Sequence, residues 1–325
     1  MMASRLGTGP SHANGGPAVV SPGRFERALT LTTPDESQRV AQDATGQTLF
    51  GVAMARRVLD LLHYEVLIRL REDPEDVHHA RSTIRRLRAM LRGFRKFLDR
   101  AWVDTLREEL RWFAGELAGV RDVDVTLDAL RARVDAIPHD ERPYVEAVLE
   151  PLEAARVTAR SKLLETLDNG RYRALLRALE GAATSPRFAV QPEPIAEDMG
   201  RKSLQKAAKR VCKAISDSTR ASTPGELHHA RIVVRNGRYV AEACCLVLGK
   251  PAQRMAKRLE RMQEALGAIS DNTLIQERLR SLVVPDRANR VIGEMLALEA
   301  VDSEKARRDW QSLRRKALRE EWFAI

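Results

Sequence analysis

The sequence predicts an all-α protein in which two four-helix bundles arose by internal duplication. Charged residues make up 31% of the 325-residue chain and aromatic residues only 5%, a balance typical of long amphipathic helices. Apolar residues recur at steps of three and four over long segments, which places them on one face of a helix. Two such segments lie 150 residues apart and share the same order of capping, basic and apolar positions. Because a whole pattern recurs at one offset, we interpret the chain as two copies of one helical unit.

The N-terminal part of the chain is predicted to be a disordered tail followed by a first helix. Residues 1–45 are rich in Gly, Pro, Ser and Thr and show no helical period, which is typical of disorder. The first helix is expected over residues 47–71. Asp73 then supplies a capping side chain, and Pro74 suits the first position of the next helix, which is predicted to end near Asp99.

This second helix carries a basic stripe beside its apolar stripe. Residues 77–98 contain seven Arg or Lys residues and no Asp or Glu, so the cations have no acidic partners on their own helix. The basic stripe is about 25 Å long at roughly 1.5 Å per residue. Because the planar guanidinium group matches phosphate oxygens, the stripe indicates a binding surface for a long anion. Its members are His78, Arg81, Arg85, Arg88, Arg92 and Arg95.

Three further helices complete the first repeat, which is predicted over residues 46–181. They are expected over residues 103–134, 141–167 and 172–179, where the apolar period continues. Residues 182–194 contain three prolines and no helical period, so they are predicted to be a linker between the repeats.

The second repeat is predicted over residues 195–325, with its last helix over 287–321. Its first helix, over residues 195–216, carries four lysines at steps of four, three and four, which places them on one face. These are Lys202, Lys206, Lys209 and Lys213. Thr223 and Glu226 then form the sequence pattern of a capping box at the start of the next helix.

The helix that follows this capping box repeats the basic stripe. His228, Arg231, Arg235 and Arg238 follow His78, Arg81, Arg85 and Arg88 by 150 residues each. A basic stripe that is present in both repeats is unlike an ordinary solvated charge run. We therefore expect the two stripes and the lysine face to line one shared cleft.

Two aspartates occupy matching positions further along the chain from the two basic stripes. Asp122 and Asp271 lie at an offset of 149 residues, and we expect each to hold an arginine or histidine of the basic stripe in place. Asp124 extends the first copy to an Asp-x-Asp pattern that could bind magnesium, but Thr273 stands at the matching position of the second copy. Because the histidine pairs also lack further ligands at suitable spacing, no metal site and no cofactor are predicted.

Composition restricts the class of partner and the compartment. The formal net charge is +10, so we expect an acidic partner such as nucleic acid, anionic lipid or a polyphosphorylated ligand. No apolar run is long enough to cross a membrane, no secretory signal is evident, and three cysteines are too few for a disulfide framework. These features predict a cytoplasmic protein with reduced thiols. The common nucleotide-binding, esterase and dithiol motifs are absent, so the sequence predicts binding rather than catalysis.

The two basic helices and their aspartates resemble the motifs of CHAD domains (conserved histidine α-helical domains), over roughly residues 47–320. The resemblance implies two four-helix bundles related by a pseudo-twofold axis around a basic channel. It also implies binding of inorganic polyphosphate, with Arg86 among the contact residues, and association with polyphosphate granules. Some members carry an N-terminal catalytic domain of the triphosphate-tunnel type, for which 45 residues are too few. Where the family has a basic residue and Leu, this chain has Asn236-Gly237, which predicts a weaker and locally less helical second stripe.

The leading hypothesis is therefore a non-enzymatic protein that binds inorganic polyphosphate on granules in the cytoplasm. A basic helical protein that binds nucleic acid is the alternative, and a metal-dependent phosphohydrolase built on the histidines and aspartates is a third. The sequence lacks aromatic residues among the basic positions, which single-strand binders use for stacking.

Overall fold

The structure is a computed structural model that describes residues 39–319, apart from residues 133, 135–138, 140–141, 190–191, 220 and 282–288. In this part of the chain it contains nine α-helices, one 3-10 turn and no strand longer than an isolated bridge. The predicted all-α class is therefore confirmed. Most of the predicted N-terminal tail lies outside the described residues.

The nine helices are long and follow one another closely along the chain. The 3-10 turn Arg142–Tyr144 directly precedes the fourth of them. In chain order they are α1 (Gly46–Leu70), α2 (Pro74–Phe94), α3 (Arg100–Arg131), α4 (Val145–Asp168), α5 (Gly170–Thr184), α6 (Ala196–Asp217), α7 (Pro224–Leu248), α8 (Lys250–Ser281) and α9 (Asn289–Arg319).

Both predicted caps of the basic helices α2 and α7 are confirmed. The Asp73 carboxylate accepts a hydrogen bond from the Glu75 backbone N–H at 2.9 Å. In the capping box of α7, the Glu226 carboxylate accepts from the Thr223 N–H at 2.7 Å, and the Thr223 hydroxyl accepts from the Glu226 N–H at 3.3 Å. These bonds satisfy backbone donors that a helix start leaves free, so each basic helix begins at a defined residue.

Helix α2 ends at Phe94, earlier than the predicted end near Asp99, because the next residues have other partners. The Asp99 carboxylate caps α3 by accepting from the Trp102 N–H at 2.7 Å, and the Asp99 N–H donates to the Arg187 carbonyl at 2.9 Å. The Ala189 N–H donates to the Phe97 carbonyl at 3.0 Å. Part of the predicted linker is thus held against the body by backbone hydrogen bonds.

Residues 39–45, which the sequence assigned to the tail, pack on the helical body. Val40 is buried, and its N–H donates to the Leu246 carbonyl at 2.9 Å. The Thr45 side chain accepts from the Thr48 N–H and caps α1. The Gly46 N–H donates to the Pro194 carbonyl at 2.7 Å, so the start of α1 is joined to the segment that precedes α6.

The helices pack in two successive groups, α1–α5 and α6–α9, and neighbours in sequence are neighbours in space. In the first group α2 lies between α1 and α3, and in the second α7 lies between α6 and α8. Helix α2 also packs against α7, and one continuous core of buried apolar side chains extends through both groups. The pseudo-twofold relation of the two groups stays a prediction.

A second, smaller apolar core joins the far ends of the two long helical hairpins. Side chains from the C-terminal ends of α3 and α8 meet side chains of α4 and α9, among them Leu127, Leu130, Ile275, Leu279 and Met295. The two groups of helices therefore contact each other between α2 and α7, between the start of α1 and α6, and again at this second core.

Two glycines allow the basic helices to approach their neighbours closely. A Cβ on Gly93 of α2 would lie 2.5 Å from Cγ2 of Val240 on α7, and a Cβ on Gly237 would lie 2.7 Å from Cγ2 of Val211 on α6. The predicted loss of helix at Asn236-Gly237 is wrong, since α7 is helical throughout. Its interior glycine is compensated by close packing on α6, which outweighs the helix propensity of Gly.

We expect Gly93→Ala to destabilise the protein by about 1–3 kcal/mol, because the added methyl group overlaps Val240 and must push α2 and α7 apart. Gly115→Ala in α3 is the matched control, since a Cβ added there would meet no atom within 4 Å, and it should stabilise by about 0.5–1 kcal/mol. Urea denaturation followed by circular dichroism measures both changes. Equal effects of the two substitutions would contradict the close helix contact.

Candidate anion-binding site

Two arginines, Arg85 of α2 and Arg235 of α7, lie close enough for their charges to interact, and neither has a carboxylate partner among the described residues. Neither forms an ion pair with any described residue, and the Nε atom of each is buried without a hydrogen-bond acceptor. Burial lowers the pKa of both groups, and the charges of Arg81 and Arg231 lower it further. The pKa of Arg235 falls to about 10, with Arg85 as the largest charge contribution. The site therefore presents concentrated positive charge that the protein itself does not neutralise.

Each of these arginines is accompanied by a second arginine that an aspartate holds. Arg81 Nη1 donates to Asp122 Oδ1 at 2.8 Å, and Arg231 Nη1 donates to Asp271 Oδ1 at 3.2 Å. The same pair thus occurs on α2–α3 and on α7–α8, as the offset of the aspartates predicts. Because the aspartate engages one edge of the guanidinium, the remaining donors stay available on the other side. We call Arg81, Arg85, Arg231 and Arg235 the arginine cluster.

The histidines at the start of α2 and α7 border the arginine cluster as neutral side chains. Burial and the neighbouring charges of Arg121 and Arg85 lower the pKa of His78 to about 4, against an opposing contribution from Glu75. Burial and the charges of Arg231 and Arg235 likewise lower the pKa of His228. A neutral imidazole can donate one hydrogen bond to an anion, and it gains a full charge if the anion raises its pKa.

Two predicted contact residues, Arg86 and Arg238, are held elsewhere by carboxylates. Arg86 Nε donates to Glu242 Oε2 at 3.1 Å, and its Nη1 donates to the Ser82 hydroxyl at 2.7 Å. Arg238 Nε donates to Glu242 Oε1 at 2.7 Å, and its Nη2 lies 2.7 Å from Glu260 Oε1. Glu242 thus joins both arginines across the α2–α7 contact, and their predicted contact with an anion stays a prediction.

Arg88 continues the stripe of α2 but turns towards α3. Its Nε is buried without an acceptor, and burial together with the charges of Arg107 and Arg111 lowers its pKa. Arg107 also has an Nε without an acceptor, although its Nη1 lies 3.6 Å from Asp104. Arg88 therefore joins a second concentration of positive charge beyond the arginine cluster.

Arg107, but not Arg88, also lines a cleft of about 550 Å³ between α2, α3 and α6. Seven of its eight lining residues are Arg or Lys and one is acidic. They are Arg92, Arg95, Lys96, Arg100, Asp104, Arg107, Lys206 and Arg210. We call this feature the basic cleft. Burial and the charges of four of these neighbours lower the pKa of Lys206, whereas Asp104 neutralises mainly Arg95, at 2.5 Å.

The structure divides the predicted lysine face of α6. Lys206 lines the basic cleft, and Lys213 lines an adjoining groove between α6 and α7. Lys202 is exposed and lies 3.8 Å from Asp198, and Lys209 is exposed. Arg210, which the lysine period omits, lines both cavities.

Several cations of the basic cleft were not predicted as site residues. Arg107 and Arg100 belong to α3, whose sequence alternates basic and acidic residues and so resembles a solvated face. Only the packing of α3 on α2 brings them beside Arg88 and Arg92. Of these residues, only Arg210 could have been predicted from the sequence, since it lies four residues after Lys206 on the same helix face.

The candidate metal ligands do not converge. Among the described residues, no group of three or more His, Cys, Asp and Glu side chains could hold a metal ion. Asp124 is buried and accepts from Arg156 Nε at 2.9 Å, while burial raises the pKa of its carboxyl group. The Asp-x-Asp pattern thus splits into two ion pairs with different arginines. In the same part of the chain, no helix combines the length and apolar character that a membrane crossing needs.

Comparison with known proteins agrees with the helical fold. The crystal structure of the CHAD domain from the plant Ricinus communis has a TM-score of 0.67 at 22% identity, over 90% of this chain and 98% of that one. PptA from Streptomyces chartreusis has a TM-score of 0.62 at 22% identity, over 83% of this chain and 99% of that one. No curated protein matches the sequence. The family model of the CHAD domain matches residues 52–280, and the chain therefore belongs to the CHAD domain family.

Proposed function

We propose that this protein binds inorganic polyphosphate without cleaving it. The observation that carries the proposal is the half-buried pair Arg85 and Arg235, whose Nε atoms are buried and whose side chains have no acidic partner among the described residues. A buried, unpaired charge is unfavourable, so the cluster gains most from an anion that enters between the helices. The unused Nε donors point to an oxygen-rich anion, because a guanidinium edge binds phosphate oxygens in pairs.

The length of the ligand follows from the position of the two charged regions on α2. From Arg81 in the arginine cluster to Arg92 in the basic cleft, the stripe is about 16 Å long at roughly 1.5 Å per residue. A single phosphate can occupy only one region, whereas a linear chain of phosphates can contact both. Linking the two contacts raises the effective concentration at the second, so affinity should rise with chain length.

Polyphosphate is favoured over nucleic acid by the chemistry of the lining. None of the residues that line the basic cleft is aromatic, and Tyr239 near the arginine cluster is buried beneath Arg86 at 4.9 Å. Bases would therefore find no exposed stacking platform there. If an oligonucleotide displaced long-chain polyphosphate at equal phosphate concentration, the proposal would fail. Release of orthophosphate in the presence of Mg²⁺ or Mn²⁺ would instead support a hydrolase.

The proposed location of the protein is the surface of polyphosphate granules in the cytoplasm. A non-enzymatic module with two separate charged regions can hold a long polymer at several points without altering it. A fluorescent fusion protein should co-localise with stained granules, and this localisation should disappear in cells that lack polyphosphate.

We expect Arg85→Gln with Arg235→Gln to weaken polyphosphate binding by at least about 100-fold, because two charge-assisted contacts of about 1.5–3 kcal/mol each are lost. The unliganded double variant should nevertheless be at least as stable as the parent, since the buried like charges are removed. Titration calorimetry and thermal unfolding measure the two quantities.

Arg238→Gln is the matched control for this prediction, since it removes one positive charge of the same stripe. It should lower stability through the loss of its contacts to Glu242 and Glu260, and it should change polyphosphate affinity by less than about threefold. If Arg238→Gln lost about half as much binding free energy as the double variant, which removes twice as many charges, only total charge would matter.

Polyphosphate affinity should increase as the pH falls from 7.5 to 5.5. The pKa of His78 is about 4 in the free protein, and a bound anion offsets the neighbouring arginine charges and raises it. Binding then takes up protons, which favours the complex at lower pH. The free protein should show the opposite trend: stability is highest above about pH 6.5 and declines as the pH falls towards 4, because the unfolded chain protonates first.

The double variant His78→Gln with His228→Gln separates this effect from other titrating groups. Calorimetry in buffers of different ionisation enthalpy counts the protons taken up on binding. The count should fall in the variant, and an unchanged count would show that the histidines are not linked to the anion.

A further inference from the structure

A second cavity of about 560 Å³ lies between α2, α6 and α7, beside the basic cleft. Its surface is mostly apolar, unlike that of the basic cleft. The apolar part is formed by Ala89, Ala207, Ala214, Val233, Gly237 and Val240. We call this cavity the apolar groove. Its volume lies within the range of sites that bind small organic molecules, roughly 300–1,000 Å³.

One border of the apolar groove is strongly basic. Arg92, Lys206 and Arg210 line both the apolar groove and the basic cleft, so the two cavities adjoin along these three cations. An inorganic anion alone would bind the cations and leave the apolar surface uncovered. The combination fits a molecule with an apolar body and a phosphorylated end.

Polar groups inside the apolar groove indicate that the apolar body of the ligand also carries hydrogen-bonding atoms. Ser203 lines the groove and is 3% exposed, and its hydroxyl has no hydrogen-bond partner among the described residues. Asn236 contributes an amide to the same wall. A buried hydroxyl without a partner is unusual in a native protein and indicates a missing acceptor or donor. An acyl chain would leave the Ser203 hydroxyl unsatisfied, whereas a sugar and a heterocyclic base carry polar atoms at their edges.

The apolar groove is a property of the second half of the chain. Its wall residues Asn236 and Gly237 correspond, at the offset of 150, to Arg86 and Leu87 of α2. In the first half Arg86 is held by Glu242, and Leu87 is fully buried in the core. The replacement of Arg86 by the short amide of Asn236 removes a long cation from this part of α7, and Gly237 lets α6 pack closely beside it.

We propose that the apolar groove binds a nucleotide, with the nucleoside on the apolar surface and the phosphates on Arg92, Lys206 and Arg210. Ser203 and Asn236 form hydrogen bonds with the sugar or the base. This proposal does not depend on the polyphosphate proposal, because the apolar wall, and not the shared cations, gives the site its specificity for a nucleotide. The three shared cations nevertheless make nucleotide and polyphosphate competitors.

Titration calorimetry with ADP and with pyrophosphate tests the site, because the two ligands share a diphosphate and differ in the nucleoside. ADP should bind at least tenfold more tightly than pyrophosphate. Ala214→Phe fills the groove without removing a cation, and it should abolish this difference while the pyrophosphate affinity changes by less than twofold. Val233→Glu provides a second obstruction from the opposite helix, should the first variant fail to fold. Gln205→Phe is the matched control on an exposed position of α6 and should behave like the parent.

Equal affinities for ADP and pyrophosphate would overturn the proposal, as would a preference for ADP that survives both groove variants. If short-chain phosphatidic acid displaced a ligand bound in the apolar groove and ADP did not, the groove would be a site for a lipid phosphate instead. Polyphosphate binding is measured on the same variants, and Ala214→Phe should retain it. If the parent protein did not bind polyphosphate, only the first proposal would be contradicted. The difference in affinity between ADP and pyrophosphate does not depend on polyphosphate binding.

Discussion

Repulsion between Arg85 and Arg235 is the constraint around which the two halves are arranged. Two guanidinium groups without an acidic partner among the described residues tend to drive α2 and α7 apart. Close packing opposes this force, since Gly93 allows Val240 to approach α2 and Glu242 joins Arg86 to Arg238 across the same contact. The second apolar core joins the halves again at the ends of the hairpins. Arg85 and Arg235 are thus held near each other by packing on both sides, whereas Asp122 and Asp271 neutralise only Arg81 and Arg231 of the cluster.

The carboxylates decide which arginines of one stripe remain available. Arg81, Arg85, Arg86 and Arg88 lie within two helical turns, yet only two of the four are paired with a carboxylate. Asp122 engages Arg81 from one edge, Glu242 satisfies Arg86, and the other two keep an Nε without an acceptor. One stripe of arginines therefore contains both residues that hold the helices together and residues that remain available to bind an anion. The division has a physical basis, because Arg86 already donates to Glu242 and to the Ser82 hydroxyl and must lose one of these contacts before it can bind an anion.

Features that depend on local sequence could be predicted, and features that depend on packing could not. The caps at Asp73 and Thr223 and the pairs formed by Asp122 and Asp271 follow from residue type, spacing and the internal offset. The position of Glu242 does not, because its partner Arg86 is 156 residues away in sequence. Continuous helix through Gly237 was also missed, since propensity describes an isolated helix and the compensating contact with Val211 is tertiary.

The three cations at the border of the apolar groove link its chemistry to that of the basic cleft. Arg92, Lys206 and Arg210 repel one another in the free protein, and the lowered pKa of Lys206 reflects burial together with this repulsion. An anion on either side relieves the repulsion and removes much of the attraction for a second anion on the other side. Linkage makes this effect reciprocal, so each ligand weakens the other by the same factor. A protein that holds a long polyanion would then respond to a small phosphorylated molecule through electrostatics alone, with no change of fold.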